Sequence, residues 1–409
     1  MLSGHSRAGN TTKDNLSDVL PDPPASRQNT PIISTRKSPV NIGILKLFQL
    51  ELDCILSKLT AQKPAHTIIF DFSLATVDSF STVPRSGYTI LVISDIHYAS
   101  DPELARGPDH ELDGISSASK RKLLGLIRRH VWIGNPFLSR TLLKQILSQP
   151  LECDLVVALG DYGLDPEYMG VADPIVYSNV SECLNLLRSH FGEKFVGLIG
   201  DHELGKRNVT GEIGCMNLKS WHISVTDLGL KPFWVLRISP WIFIGITSSL
   251  IALPNLMGDV IRTELPEWEN LRKKHVDQIR QAFINAPSDH KIILFCHDPT
   301  ALGFLWEDDI VRARLPNVAL TIVGHLHSRA ILTQSKILAG IPPLKFLGHT
   351  INRYSHALHL AKRWWDFKVN ICPAPFGLKL LRDGGYLIVK LPFDPHLHPQ
   401  IHQVKLFHQ

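Results

Sequence analysis

Five apolar segments of this chain each end in aspartate or histidine, and this repeated pattern constrains the fold more than any other feature of the sequence. The first segment, Thr89–Ser100, contains the β-branched run Ile90–Ile93 and then Asp95-Ile96-His97. A short apolar run of this kind predicts a strand that is buried on both faces. Residues two positions apart share one side of an extended chain, so Asp95 and His97 can bind the same cation.

Four later segments repeat this arrangement of an apolar run followed by Asp or His. They end in Gly160-Asp161, Gly200-Asp201-His202-Glu203, His297 and Gly324-His325-Leu326-His327. In open α/β sheets, ligands bind just beyond the carboxyl ends of the strands. Helical patterns lie between these strand segments, so we predict an α/β fold in which the five strand ends form one site.

The side chains at these strand ends are typical of a site for divalent metals. Carboxylate and imidazole together suit borderline metals such as Mn, Fe, Zn or Ni. The candidate metal ligands are Asp95, His97, Asp161, Asp201, His297, His325 and His327. Such a set exceeds what one metal needs, whereas two metals that share a carboxylate, about 3.5–4 Å apart, use it fully and commonly hydrolyse phosphate esters. His202 is then available to protonate the leaving alkoxide as a general acid.

The order of these motifs resembles that of the calcineurin-like metallophosphoesterase superfamily. The motifs read D-x-H, G-D, G-(N/D)-H-(E/D), H and G-H-x-H, and they extend from Asp95 to His327. The resemblance implies a four-layer α/β/β/α sandwich of two mixed sheets. It also implies hydrolysis of a phosphate ester by a metal-bound hydroxide at a dinuclear metal centre. The metal ions would be Mn, Fe or Zn.

The resemblance also assigns roles to individual ligands. Asp95, His97 and His327 would bind the first metal, and Asp161 would bridge both metals. The second metal would be bound by His297 and His325, together with the residue at position 201.

Position 201 departs from the family pattern, because the third motif normally carries Asn there. Asp201 keeps an oxygen that can bind metal, but it lacks the N–H donor of the amide and adds negative charge. We hypothesise that this change favours a diester or a lipid-linked substrate over a highly charged phosphate.

A second departure concerns the residue that supports the general acid. In phosphoprotein phosphatases of the family, an Asp three residues after the bridging Asp has this role, but here Leu164 occupies that position. Asp165 follows directly and is the candidate for the same role. The Arg that normally comes next is replaced by Pro166, which argues against a Ser/Thr protein phosphatase.

Composition is typical of a soluble globular protein. The 409 residues are 44% hydrophobic and 20% charged, as in soluble globular proteins, and the net charge of +5 suits an anionic substrate without implying nucleic acid. The six cysteines are scattered without a C-x-x-C pair, which favours a reducing compartment. We find neither a signal pattern nor an apolar run long enough to span a membrane, so we expect a soluble, cytoplasmic protein.

Local composition predicts the organisation of the chain. We expect a disordered N-terminal tail at 1–40, an N-terminal helix and edge strand within 41–88, the metallophosphoesterase domain at 89–393 and a His-rich, solvated tail at 394–409. Insertions are expected at about 101–150 and 337–372. Near the end of the domain, Leu378–Leu391 predicts a hairpin that turns at Asp383-Gly384-Gly385.

Several substrates and one non-catalytic role remain as alternatives. The basic helix Ala118–Trp132 and the apolar segment Trp241–Met257 are compatible with peripheral membrane contact and with a lipid-nucleotide pyrophosphatase. Basic and aromatic residues around Trp364 and Trp365 are compatible with a nuclease, because aromatic rings can stack on bases. Packing of a helix against the domain explains these residues more simply. The alternative from another class is a non-catalytic scaffold on the same fold, but every ligand position and His202 hold competent residues.

Overall fold

Two five-stranded mixed sheets form the centre of the described part of the chain. The computed structural model describes residues 86–108, 110–112, 115–132, 134–164, 170–206, 214–344 and 349–406. The strands are β1 Gly87–Ile93, β2 Leu155–Ala158, β3 Phe195–Gly197, β4 Phe233–Ile238, β5 Trp241–Ile246, β6 Lys291–Cys296, β7 Val318–Val323, β8 Val369–Ile371, β9 Gly385–Pro392 and β10 Gln400–Lys405. The first sheet has the order β10-β9-β1-β2-β3, and the second has the order β4-β5-β6-β7-β8.

Strand direction brings the predicted strand ends to the same edges of the sheets. In the first sheet, β1, β2 and β3 run parallel, while β9 is antiparallel to both β1 and β10. In the second sheet, β5 to β8 run parallel and β4 is antiparallel to β5. The register pairs Ile93 with Ala158 and Cys296 with Val323, so neighbouring strands end level with each other.

Helices connect the strands, and several of them cover the outer faces of the two sheets. They are α1 Asp101–Arg106, α2 Ala118–Ile127, α3 Leu138–Ser148, α4 Pro174–Phe191, α5 Leu218–His222, α6 Ser248–Ile251, α7 Leu253–Leu256, α8 Leu265–Ile284, α9 Thr300–Trp306, α10 Asp309–Arg314, α11 Arg329–Ile337 and α12 His349–Leu360. Single turns of π-helix, Arg128–Trp132 and Ile223–Asp227, continue α2 and α5. None of the described helices is both long and apolar enough to cross a membrane.

Apolar side chains fill the spaces between four layers. Between the sheets, Ile90 and Val92 of the first sheet share a core with Phe243 and Phe295 of the second. Separate cores join the first sheet to α3 and α4, and the second sheet to α8 and α9. Fully burying a side chain such as Val or Phe stabilises a fold by about 1.5–3 kcal/mol. The two mixed sheets between helices confirm the predicted α/β sandwich.

The C-terminal hairpin forms later in the chain than its sequence predicts. The prediction of a turn at Asp383-Gly384-Gly385 is wrong, because β9 begins at Gly385 and pairs with β10 beyond it. The Asp383 carboxylate instead accepts hydrogen bonds from Leu378 N–H and Ser328 Oγ, which holds this segment as an irregular loop. The expected solvated tail is also wrong in part, since residues 400–405 form the edge strand β10. The first sheet therefore extends beyond residue 393, where the domain was expected to end.

The segment around the paired tryptophans packs mainly against the domain. Trp364 is buried beside α9, as the simpler explanation of these residues predicts. Trp365 is 63% exposed, and the Lys336 ammonium lies 4.7 Å from its ring centroid. The segment Trp241–Met257 forms the buried strand β5 followed by α6 and α7.

Several predictions concern residues outside the described ranges. These are the tail at 1–40, the helix Ile42–Leu59 and strand Thr67–Phe72 expected within 41–88, and Asp165.

Candidate metal centre

The predicted ligands meet at one edge of the sandwich, and they come from both sheets. The first sheet contributes Asp95 and His97 after β1, Asp161 after β2, and Asp201 and His202 after β3; the second contributes His297 after β6, and His325 and His327 after β7. All except His325 are buried, and His325 is partly exposed. Parallel strands that end level with each other explain this convergence.

Several of these residues adopt a backbone conformation that is uncommon for side-chain-bearing residues. The φ angles of Asp95, His97, Asp161, His325 and His327 lie between 49° and 61°. This left-handed region costs free energy for residues other than Gly, although Asp and His occur there more often than most. Strain of this kind persists where the surrounding structure fixes it, and here it turns the side chains of successive motifs into one site.

One group of ligands consists of Asp161, Asp201, His297 and His325. One ligand atom from each lies within 4.8 Å of the others. His297 Nε2 is 3.1 Å from Asp161 Oδ2 and 3.0 Å from Asp201 Oδ1. His325 Nδ1 is 3.5 Å from the same Asp201 oxygen. Two carboxylates and two imidazoles therefore surround one point.

A second group consists of Asp95, His97 and His327. His327 Nε2 is 3.2 Å from Asp95 Oδ1 and 3.4 Å from His97 Nε2. The rings of Phe376 and Trp132 lie beside this group, with centroids 5.5 and 5.8 Å from that of His327. Aromatic rings therefore line one side of this group.

His202 lies between the two groups. Its Nε2 is 3.7 Å from Asp161 Oδ2, and its backbone N–H donates to Asp161 Oδ1 at 3.1 Å. A third set overlaps both groups: one ligand atom each from His97, Asp161 and His202 lies within 4.8 Å of the other two. Among the described residues, none hydrogen-bonds to Nδ1 of His202, and Asp165 lies outside them.

The electrostatics of the buried groups are strongly coupled. Burial disfavours a charged Asp95, but the nearby His327 lowers the pKa of this carboxyl well below its ordinary value. Burial and the charge of His327 together lower the pKa of His97 to about 3. Burial works against a charged His297, yet Asp161 and Asp201 raise its pKa well above the ordinary range. The carboxylates of the first group thus favour the protonated, positively charged form of His297.

Burial raises the pKa of Asp161, and the adjacent Asp201 carboxylate adds to this effect. Asp161 Oδ2 is also fully enclosed and receives no hydrogen bond of good geometry from the described residues. His297 Nε2 lies 3.1 Å from this oxygen, and a divalent cation bound beside both atoms would stabilise the buried negative charge. The oxygen and nitrogen donors of both groups fit divalent metal ions.

Glu203 organises the loops behind these ligands, a role that the sequence does not reveal. Its carboxylate accepts hydrogen bonds from the backbone N–H groups of Gly200, Asp161 and Tyr162, at 2.8–3.0 Å. Burial and the nearby Asp161 raise the pKa of Glu203 to about 8, although these N–H groups act in the opposite direction. The acidic residue of the third motif thus ties the ends of β2 and β3 together.

Sequence comparison identifies the class of protein that this fold and site define. The sequence profile of the calcineurin-like phosphoesterase family matches residues 88–329, which is more than half of the chain. The chain therefore belongs to the calcineurin-like phosphoesterase family. Membership indicates a hydrolase that acts on phosphate esters. A comparison with curated proteins gave no significant match.

Proposed function

We propose that this protein is a dinuclear metal-dependent phosphoesterase. The observation that carries the proposal is the position of Asp161, which belongs to one ligand group and also lies within 4.8 Å of ligand atoms from His97 and His202. A carboxylate between two ligand groups suits the role of a bridge between two cations. Asp95, His97 and His327 would hold one metal, and Asp201, His297 and His325 would hold the other.

The metals and the protein contribute different parts of the chemistry. Bound divalent cations lower the pKa of water and neutralise the charge of phosphate oxygens. The protein fixes the positions of the ligands through strained loops and through Glu203, so that little reorganisation is needed during the reaction. The candidate ligands offer nitrogen and oxygen donors and no thiolate. Mn, Fe and Zn all bind such a set of donors.

His202 is proposed as the general acid. Attack of water on phosphorus breaks the bond to the leaving group, and the leaving oxygen takes the proton that His202 holds at Nε2. Burial and the neighbouring His97 lower the pKa of His202 well below its ordinary value in the substrate-free site. An anionic phosphate ester opposes both effects, because a nearby negative charge favours protonated imidazole. We propose that Asp165 supports this histidine.

The first test compares a chromogenic phosphodiester, bis(p-nitrophenyl) phosphate, with the corresponding monoester in the presence of Mn²⁺ or a chelator. We expect Mn²⁺-dependent hydrolysis that Asp161→Asn abolishes and that the exposed control Asp289→Asn retains. The ratio of the diester rate to the monoester rate, compared between the native protein and Asp201→Asn, tests whether Asp201 favours a diester. A protein that binds two Mn²⁺ ions but cleaves neither ester would direct the search to pyrophosphate-linked and lipid-borne substrates. A protein that binds no metal would overturn the proposal in favour of the scaffold alternative.

The role of His202 has its own test. A general acid matters most when the leaving group is a poor one, because p-nitrophenolate leaves without help from a proton donor. His202→Ala should therefore slow an alkyl or phenyl ester by about 10²–10⁴-fold and the p-nitrophenyl ester by much less. Equal losses for both esters would contradict the general-acid role.

A lipid-borne phosphate ester is the second candidate substrate, and one surface of the structure favours it. On α2, the side chains of Leu123, Leu126 and Ile127 are exposed, and the helix buries none of its residues. The following π-turn ends at Trp132, whose ring contacts His327 of the candidate metal centre. An apolar and basic helix beside the site suits an anionic membrane surface.

The nuclease alternative receives less support from the structure. Of the two tryptophans in the basic segment, Trp364 is buried and only Trp365 is available to stack on a base. Salt-sensitive binding of single-stranded DNA would favour this alternative, and a lack of binding at low salt would remove it.

A further inference from the structure

The two oxygens of the Asp201 carboxylate face different neighbours. Oδ1 lies 3.0 Å from His297 Nε2 and 3.5 Å from His325 Nδ1, within the first ligand group. Oδ2 forms an ion pair with the ammonium of Lys206. One oxygen is thus directed to the candidate metal site, and the other is held by a cation five residues further along the chain.

The Lys206 ammonium is an expensive group to place here. Lys206 is only 9% exposed, and an isolated ammonium is unfavourable in a protein interior. Asp201 offsets this cost. The ion pair of Asp201 and Lys206 is neutral overall, and so is the Asn side chain that it replaces. Lys206 therefore cancels the negative charge that Asp201 adds relative to the usual Asn of the third motif.

Lys206 also lines a cavity beside the candidate ligands. A cavity next to the site is lined by Asp201, Lys206, Thr300, His325 and Arg353, among others. The Lys206 ammonium thus lies at the boundary between this cavity and the Asp201 carboxylate. An ammonium has three N–H donors, and such groups bind phosphate oxygens well.

We propose that Asp201 and Lys206 act as one unit that replaces the Asn of the family motif. Asp201 Oδ1 takes over the ligand role of the amide oxygen, and Lys206 Nζ donates to a non-bridging oxygen of the bound phosphate in place of the amide N–H. The inference rests on the proposed phosphoesterase function. It assigns Lys206 as a phosphate-binding residue for the substrate and for the inorganic phosphate product.

A double-mutant cycle tests this unit with the whole 409-residue chain. The variants are Lys206→Met, Asp201→Asn and the double variant, with the exposed Lys274→Met on α8 as the matched control. Each is measured for the binding of Mn²⁺ and of inorganic phosphate by titration calorimetry, and for kcat and KM with both chromogenic esters. Far-UV circular dichroism and thermal melts identify any variant that does not fold.

We expect Lys206→Met to bind Mn²⁺ as well as or better than the native protein, because the metal no longer competes with an ammonium for Asp201. Its affinity for inorganic phosphate should fall by at least about tenfold, which is a typical effect of removing one charged hydrogen-bond donor. Asp201→Asn alone should lose Mn²⁺ affinity, because an unbalanced ammonium then lies beside the metal. The double variant restores a neutral amide, so it should bind both Mn²⁺ and phosphate better than the product of the two single effects predicts.

Lys206→Arg provides a further check, since it keeps the charge and should retain most of the phosphate affinity that Lys206→Met loses. Additive effects of the two substitutions, or unchanged phosphate binding in Lys206→Met, would overturn the inference. These outcomes differ from failure of the proposed function, in which the native protein itself would show no metal-dependent hydrolysis.

Discussion

The backbone N–H of His325 donates to both carboxylate oxygens of Asp95, at 3.1 Å each. Asp95 follows β1 in the first sheet and His325 follows β7 in the second, so this contact joins the two sheets at the candidate metal centre. The same carboxylate lies 3.2 Å from His327 Nε2. Asp95 therefore has two roles, one in the proposed metal site and one in holding the sheets in register there.

Substitutions at Asp95 can separate these two roles. Asp95→Asn keeps an oxygen that accepts the His325 N–H but removes the negative charge, so it should weaken Mn²⁺ binding by at least about tenfold with little loss of stability. Asp95→Ala leaves the buried N–H without an acceptor, which should lower the free energy of unfolding by a further 1–3 kcal/mol or so, about the cost of an unsatisfied donor. Calorimetric titration with Mn²⁺ and denaturant unfolding measure the two effects. Native Mn²⁺ affinity in Asp95→Asn would show that this carboxylate is not a ligand.

The strand ends were predictable from sequence because they depend on short-range patterns. A run such as Ile90–Ile93 must be buried, and the polar residue after it must lie at the edge of the sheet, where the ligands were expected and where they are found. The C-terminal hairpin was placed wrongly because Gly384-Gly385 is typical of a tight turn. In the structure, Gly385 begins β9 so close to the backbone of Val404 that a Cβ would lie 2.0 Å from its carbonyl oxygen.

Contacts made across loops could not be predicted. Lys206 and Glu203 are visible in the sequence, but whether they face Asp201 and Asp161 depends on how the loop after β3 folds. Trp132 is distant in sequence from His327, and only the packing of the π-turn brings the rings together. Charge and hydrophobicity identify such residues as unusual, whereas their partners are set by the tertiary structure.

Glu203 provides a prediction about the positioning of the ligands. Glu203→Gln replaces one acceptor oxygen with an NH₂ group, which must face at least one of the backbone N–H groups of Gly200, Asp161 and Tyr162. We expect the free energy of unfolding to fall by about 1–3 kcal/mol, and kcat to fall more than KM rises, because Asp161 shifts while the phosphate site persists. Denaturant unfolding and steady-state kinetics measure this, with the exposed Glu269→Gln as the control. A loss equal to that of the control would show that the three hydrogen bonds contribute little.

His275 on α8 provides a prediction about pH that is independent of the metal centre. Its Nε2 accepts the backbone N–H of Thr247 at 3.1 Å, which requires the neutral ring, and burial lowers its pKa to about 4. The depressed pKa means that the unfolded chain binds the proton more readily than the folded one does. The contribution of His275 to stability is therefore complete above its unfolded pKa near 6.5 and decreases as the pH falls towards 4.

His275→Gln isolates this contribution, because the Gln oxygen can accept the same N–H but does not titrate. Between about pH 7 and about pH 5, the native protein should lose about 2 kcal/mol of stability that the variant does not lose. Denaturant unfolding of both proteins at the two pH values measures the difference, which cancels the titration of all other groups. An identical pH dependence in the two proteins would show that His275 is not held neutral.

The exposed apolar residues of α2 lead to a prediction about membranes. If this helix contacts an anionic bilayer, then Leu123→Gln/Leu126→Gln should weaken binding to vesicles that contain phosphatidylserine by at least about tenfold, since each leucine would otherwise leave water on binding. Hydrolysis of the soluble chromogenic ester should not change, because neither leucine is among the candidate ligands. Ile337→Gln is the matched control, because Ile337 is a highly exposed apolar residue on α11, a different helix.

Trp132→Ala should affect both measurements, which distinguishes it from the leucine substitutions. Trp132 is 40% exposed next to α2, and its ring also contacts His327. The substitution therefore removes apolar surface that would contact the membrane and opens the second ligand group to water. We expect weaker vesicle binding together with a lower kcat on the soluble ester. If vesicles bind neither the native protein nor any variant, the prediction of a membrane contact at α2 is wrong, and the substrate is to be sought among soluble phosphate esters.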